Sequence, residues 1–482
     1  MKTFRVIGVL VLVLGVAGSS AATHRVPVTD RPAVITRPPI PTSPPAVLWW
    51  ERWNLDTHQA YGGTSPSGAS YYVDNQHPSA SNTNPGTEAL PWLTLTEITN
   101  RSFSPGDTIY VKAGTYVVTT GGSFASAAVR ITSNGSAGSP ITLRNYPGHA
   151  PIVDGQDSTT GGFKLGCPQN YCTIRGFRLI NTFNHGMLCG GGSGPSRNVG
   201  CILERNECED ITASTTVNPE CYKTLWSDGA IIQDNFADNS MNVNPGGNVA
   251  GIANENGING TYQNNEVYGF NTGFFDKYGG NGNVFRFNYI HSVALGIIAA
   301  CFGAEMIPCG TGNWHHNIVA FSSNEGISTS ATTTSTEMDG YQVERNTLHA
   351  IDQHGIRVDS AVPSAIITNN YVQSAAGSRG NLIVGETGTA NYNAYNTSRL
   401  QWKEDEDAVP IVYTTFASWQ GTGRDANGIT LSGTPFTGTP TAGGRDPTVY
   451  RPSAGGGLRD VGQNSTHIGA YDTDSQVIGI RP

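Results

Sequence analysis

Lys277 closes the segment Gly273-Phe274-Phe275-Asp276-Lys277, and a similar segment, Gly251-Ile252-Ala253-Asn254-Glu255, precedes it in the chain. Aligning the two glycines places Asn254 over Asp276 and Glu255 over Lys277, on strands that would lie roughly 4.8 Å apart. This is the best acid–base group in the sequence. Lys277 is the candidate base and Glu255 its carboxylate neighbour. The oxygens of Asn254, Glu255 and Asp276 suit Ca2+, a hard cation that takes carboxylates and amide carbonyls. The plainer alternative is a salt bridge between Lys277 and Glu255 on a solvated sheet face.

Further candidates lie along the chain. In His354-Gly355-Ile356-Arg357-Val358-Asp359 the Arg357 guanidinium could clamp a carboxylate with its planar fork, or pair with Asp359 or Asp352. His354 stands beside it as a candidate substrate contact. Glu204, Gln233, Gln263, Arg286, His315 and Glu344 recur at one position of a repeat, which would line them up as an outward column. Arg286 and His315 could there bind sugar hydroxyls, with Trp314, Tyr289 or Tyr371 for stacking. The competing reading of each is a solvated sheet residue. His315 and His316 are adjacent, so in a strand they should point to opposite faces and not share a metal.

The elements that must position these groups announce themselves by repetition. Leu203-Glu204-Arg205-Asn206 recurs in pattern at Ile232 to Asn235, Tyr262 to Asn265, Phe285 to Asn288, Trp314 to Asn317, Val343 to Asn346 and Ile367 to Asn370. The asparagines are 23 to 30 residues apart, a solenoid period. An apolar or aromatic residue stands three before each Asn and another small or apolar residue two after it, as strands with one buried face require. The Asn suits a turn, and stacked amides can bond coil to coil. Glycine opens a further strand at Gly273, Gly296, Gly326 and Gly355. Two or three short strands per coil imply an all-β, right-handed single-stranded parallel β-helix.

Composition agrees. Sixty glycines and only 13% charged residues disfavour a helical protein. Lys2 and Arg5 before the apolar run Val6 to Val16, then small residues to Ala22, read as a signal peptide over 1–22. Residues 23–47 are proline-rich and read as a linker, leaving 48–482 for the β-helix domain with an N-terminal cap and a C-terminal extension. The expectation is therefore a secreted, extracellular or periplasmic protein with no membrane span. Its net charge of −9, about −11 without the leader, argues against nucleic acid as a partner. All eight cysteines fall between Cys167 and Cys309, so disulfides are expected, and spacing favours Cys167–Cys172, Cys208–Cys221 and Cys301–Cys309.

Several segments then carry a resemblance. Tyr71-Tyr72-Val73-Asp74, Asn84-Pro85-Gly86-Thr87, Pro91-Trp92 and the run Pro105 to Tyr116 resemble the opening of bacterial β-helix proteins of the pectin-lyase-like superfamily. Pro140 to Gly148 with Pro151-Ile152-Val153-Asp154-Gly155 is similar to their first coil, and Ile468-Gly469-Ala470-Tyr471 to their ending. Polysaccharide lyase families nine and six resemble the chain most. Lys164, in Gly161-Gly162-Phe163-Lys164, is similar to the segment around the family nine base but comes early in the stack; Arg357 resembles a family six Gly-Ile-Arg strand. The paired aspartates that hold calcium in family nine have no clear counterpart, Asp228-Gly229 with Asp234 being a poor match.

What the resemblance implies is cleavage of an acidic, uronate-containing polysaccharide by β-elimination. A cation would neutralise the uronate carboxylate while Lys277 removes the neighbouring ring proton. Two other readings stay open. A glycoside hydrolase needs two carboxylates about 5 to 10 Å apart, for which Glu255 with Asp276, or Glu325 with Asp352, would serve. A non-catalytic glycan-binding surface protein needs neither.

Overall fold

The repeat predicts coils stacked by parallel pairing, and that is what the chain builds. The computed structural model describes residues 68–480, apart from 120–126, 158–161, 192–195, 212–217, 241–248, 279, 302–309, 332–339, 359–361, 363, 375–379, 385–387, 397–400, 405–410 and 474. All described residues belong to the unit Trp53–Pro482. The leader and linker expected at 1–47 lie outside them.

Three sheets of twelve strands each make a right-handed parallel β-helix. Each coil contributes one strand to every sheet in turn. Ile202–Glu204 belongs to the first sheet, Glu207–Glu209 to the second and Glu220–Leu225 to the third. Pairing between successive coils is parallel throughout, except that Ile411–Tyr413 closes the third sheet antiparallel to Trp402–Glu404.

The tight corner between the first and second sheets holds the asparagines. The residue before each one, such as Arg205, Phe287 or His316, has a left-handed backbone, φ 54°, 58° and 57°. A side chain disfavours that conformation. What offsets it is a buried amide ladder: Asn288 Nδ2 donates to Asn317 Oδ1 at 2.9 Å, and Asn317 Nδ2 to Asn346 Oδ1 at 3.0 Å. The ladder continues beyond the seven expected rungs to Asn393 and ends on the Asp425 carboxylate, 2.8 Å away.

Inside the coils the apolar columns stack as expected. Leu203, Ile232, Tyr262, Phe285, Trp314, Val343 and Ile367 of the first sheet face Cys208, Val267, Ile290 and Leu348 of the second. Tyr222, Ile252, Phe274, Ile297, Ile327 and Ile356 complete the core from the third. A glycine precedes most of these last residues because the backbones crowd there; a Cβ on Gly296 would lie 2.2 Å from the Gly326 carbonyl oxygen.

Two of the expected disulfides form, Cys167–Cys172 and Cys208–Cys221, and Cys189–Cys201 adds a third. Cys301 is also disulfide-bonded, while residue 309 lies outside the described set. After the strand Ile429–Leu431 the chain turns back as a strap over the outer face of the second sheet. Phe436, Tyr450, Leu458, Ile468 and Tyr471 cover Tyr289, Ile318, Ala320, Tyr371 and Ala394.

Candidate functional site

The alignment that paired the two glycine-led segments is the register of the third sheet. Asn254 stands opposite Asp276 and Glu255 opposite Lys277 on the strands Ala250–Glu255 and Thr272–Lys277. Neighbours along a strand point to opposite faces, however. Asn254 and Asp276 turn into the coil, whereas Glu255 and Lys277 face outward.

That alternation corrects the expected calcium set. Asn254, Glu255 and Asp276 cannot converge on one ion, and the inward pair bonds to itself through Asp276 Oδ1, while Asp276 Oδ2 has no hydrogen-bond partner among the described residues. Asn254 Nδ2 donates to Asp276 Oδ1 at 2.8 Å, while its carbonyl oxygen accepts from Thr224 Oγ1 at 2.6 Å. Asn254 thus offers Asp276 an N–H where a cation would need oxygen. Burial pushes the Asp276 carboxyl up to about 6, against the hydrogen bonds from Asn254 and Asn283. These residues do not fit calcium, and the same geometry removes Glu255 with Asp276 as a hydrolytic pair.

The outward face of the third sheet holds a chain of charges instead. Glu255 Oε2 lies 2.8 Å from Lys223 Nζ, which lies 3.4 Å from Glu220 Oε1, and Glu220 Oε2 meets His185 Nδ1 at 2.8 Å. The Lys223 side chain is only 1% exposed, so its ammonium depends on those carboxylates. Burial alone would raise the Glu220 carboxyl, but Lys223 and His185 outweigh it and hold it below its ordinary range. None of Lys223, Glu220 and His185 was picked out from the sequence. The one available signal was the scarcity of lysine, since four of the six, Lys164, Lys223, Lys277 and Lys403, sit on strands of this sheet.

Lys277, half-buried, rests its Nζ 4.6 Å from the centre of the Tyr278 ring. Lys164 is fully buried, its Nζ has no hydrogen-bond partner among the described residues, and burial lowers its pKa. Three strands beyond Lys277, Arg357 also faces outward and pairs with Glu325 at 3.2 Å; His354 Nδ1 approaches the same oxygen at 3.2 Å. Among the described residues Arg357 pairs with Glu325, and Asp359 lies outside them. Burial would raise the Glu325 carboxyl, but His354 and Arg357 bring it down to about 2.

The remaining candidates fall elsewhere. Arg286 and His315 lie on the outer face of the first sheet, not the third. There Gln233 Nε2 donates to Glu204, Gln263 Nε2 to Gln233 and Arg286 Nε to Gln263, at 2.7, 2.8 and 2.9 Å. This hydrogen-bonded column is a separate surface from the one carrying Lys277. Trp314 is 0% exposed and packs in the core, so it cannot stack on a sugar; Tyr289 and Tyr371 are covered by the strap.

His315 and His316 also depart from expectation. The left-handed φ of His316 swings its ring back, and the two Nδ1 atoms meet at 2.6 Å. Burial, then the His316, Arg286 and Arg345 charges, lower the His315 pKa to about 3.

Residues 71–294 match the family model described as the Pel9A-like, right-handed β-helix region. Among solved structures, pectate lyase Pel9A aligns at 14% identity and TM-score 0.51, covering 85% of this chain and 97% of its own. The GH136 lacto-N-biosidase from Eubacterium ramulus aligns at 12% identity and TM-score 0.49, over 68% of this chain and 64% of its own. A rhamnogalacturonan lyase aligns at 14% identity and TM-score 0.42, over 80% and 95%. No curated protein matches the sequence. Among the described residues no helix is long and apolar enough to cross a membrane. Residues 71–294 thus match a Pel9A-like right-handed β-helix region, and the fold is the one seen in pectate lyase Pel9A.

Proposed function

We propose that the protein is a secreted polysaccharide lyase that cleaves an acidic, uronate-containing glycan on the outer face of the third sheet. The observation that carries this reading is the placement of Lys277. It faces outward beside Glu255 on a face that also carries Lys223 and Arg357, in a chain with six lysines in all. A row of parallel strands spaced about 4.8 Å apart offers a polymer a repeating track along the coil axis. Lys277, in its neutral form, takes the ring proton next to the uronate carboxylate. The electron pair left behind forms the ring double bond as the bond to the glycosidic oxygen breaks, that oxygen takes a proton from solvent water as it leaves, and Lys277 returns the ring proton to solvent. Arg357, three strands away and so about 14 Å along the axis, clamps the carboxylate of a uronate further along the polymer.

Pectate, alginate and chondroitin, each with and without a chelator, would test the reading through the ultraviolet absorbance of the unsaturated product. Lys277→Ala should lose about 10²- to 10⁴-fold in rate, the range typical of a general base. Shortened polymer without absorbance would make the protein a hydrolase. If no acidic polymer is cut, or if Lys277→Ala changes nothing, the lyase reading is wrong.

A further inference from the structure

On the first sheet, away from Lys277, His315 Nδ1 and His316 Nδ1 face each other at 2.6 Å. His316 Nε2 meets the strap carboxylate Asp472 Oδ2, also at 2.6 Å. A carboxylate only accepts, so His316 donates through Nε2 and keeps a lone pair on Nδ1. A carboxylate behind the far nitrogen is the usual support of a metal-binding histidine. One strand further, Glu344 stands in register with His315 on the same outward face; the strands are about 4.8 Å apart, and the carboxylate lies farther than that from at least one of the paired nitrogens.

We propose that His315, His316 and Glu344 form a site for a divalent transition-metal ion of the zinc type, held by two Nδ1 atoms and one carboxylate. Two imidazoles and a carboxylate are a common zinc donor set. The ion would replace the proton now shared between the rings. At zinc–nitrogen distances near 2.05 Å the two nitrogens would part to about 3.3 Å, and the Glu344 carboxylate would rotate in. The opposing charges are Arg286, in register with His315 on the other side, and Arg345. Arg345 is held by Asp472 at 2.7 Å, and Arg286 is held by Gln263 at 2.9 Å, so both are anchored to neighbours. Asp472 belongs to the strap, so the ion would also pin the strap to the coil it crosses.

The test uses the full mature chain without a histidine tag, stripped with a chelator, dialysed, and titrated with ZnCl2 by calorimetry. One equivalent should bind with micromolar or tighter affinity. His315→Ala should abolish that binding, Glu344→Gln should weaken it at least tenfold, and Asp472→Asn should weaken it 10- to 100-fold, as the loss of an orienting partner does. Cu2+ bound in place of Zn2+ should show nitrogen hyperfine splitting that His315→Ala removes. Failure of the wild-type chain to bind Zn2+, or full affinity in both the His315→Ala and Glu344→Gln chains, would overturn the site.

Discussion

Glu255 Oε2 lies 2.8 Å from Lys223 Nζ across one strand step, so the carboxylate expected to hold a cation neutralises a buried ammonium instead. Removing one partner of a buried ion pair leaves the other charge stranded, at a cost of about 3–5 kcal/mol when nothing else compensates. Here Glu220 remains 3.4 Å from Lys223. Glu255→Gln should therefore destabilise the chain by about 1–3 kcal/mol. Lys223→Met, which leaves Glu220 with only His185 among the described residues, should cost at least as much. Chemical denaturation of both variants measures this, and a Glu255→Gln chain as stable as wild type would show that the pair contributes nothing.

The register of Glu255 over Lys277 was legible because the glycines that open most third-sheet strands are forced by backbone crowding and so mark one position of the coil. Register does not by itself give facing. Alternation separates Asn254 from Glu255 and Asp276 from Lys277, so the four do not form one cluster. His316 departs for the opposite reason: strict alternation would turn its ring away from His315, and a left-handed corner residue breaks the alternation. Asn393 repeats the ladder pattern 23 residues after Asn370 and was readable. Asp425, the ladder's last acceptor, was not, because a carboxylate there breaks the motif while keeping its chemistry. Contacts made by the strap were out of reach, since Arg445 meets Glu266 across 179 residues with no periodicity to link them.

Asn317 shows what the ladder contributes. Its amide donates to the Phe285 carbonyl and to Asn346 Oδ1, and its oxygen accepts from Asn288 N and Nδ2, all within 3.1 Å. Each buried group left without a partner costs about 1–3 kcal/mol. Asn317→Ala strands several at once and should lose about 3–5 kcal/mol, seen as a lower denaturation midpoint. Asn317→Asp keeps the acceptor but not the donors and should fall between. An unchanged midpoint in Asn317→Ala would mean that water replaces the amide without penalty.

Acid should unfold the Lys277 face in a defined window. Glu325 has its carboxyl depressed from the ordinary 4.5 to about 2 when folded, through His354 and Arg357. A depressed carboxylate contributes stability that is fully present above its unfolded pKa and is lost as pH falls through the folded one. The loss should run from about pH 4.5 down to about pH 2, and amount to roughly 2–3 kcal/mol. Glu325→Gln should be less stable at neutral pH and show a shallower fall across that window. Parallel acid titrations of the two chains by circular dichroism decide the point, and identical slopes would assign the acid limb to other carboxylates.

Arg445 fastens the strap where it begins. Its Nε reaches Glu266 Oε1 at 2.7 Å, its guanidinium sits 3.9 Å from the centre of the Phe236 ring, and Tyr289 donates to the neighbouring Gly444 carbonyl at 2.6 Å. Burial would raise the Glu266 carboxyl, but Arg445 and His291 hold it at about 2. In Arg445→Ala that buried carboxylate keeps, among the described residues, only His291, 3.4 Å away. A cost of about 2–4 kcal/mol is expected. Part of it should appear as local release of the strap, because Phe436, Tyr450 and Tyr471 cover an apolar sheet face that would then open to solvent. Limited proteolysis reads this directly: Arg445→Ala should be cut within residues 436–480 well before the coils, and a wild-type digestion pattern would show that the apolar contacts hold the strap without the clamp.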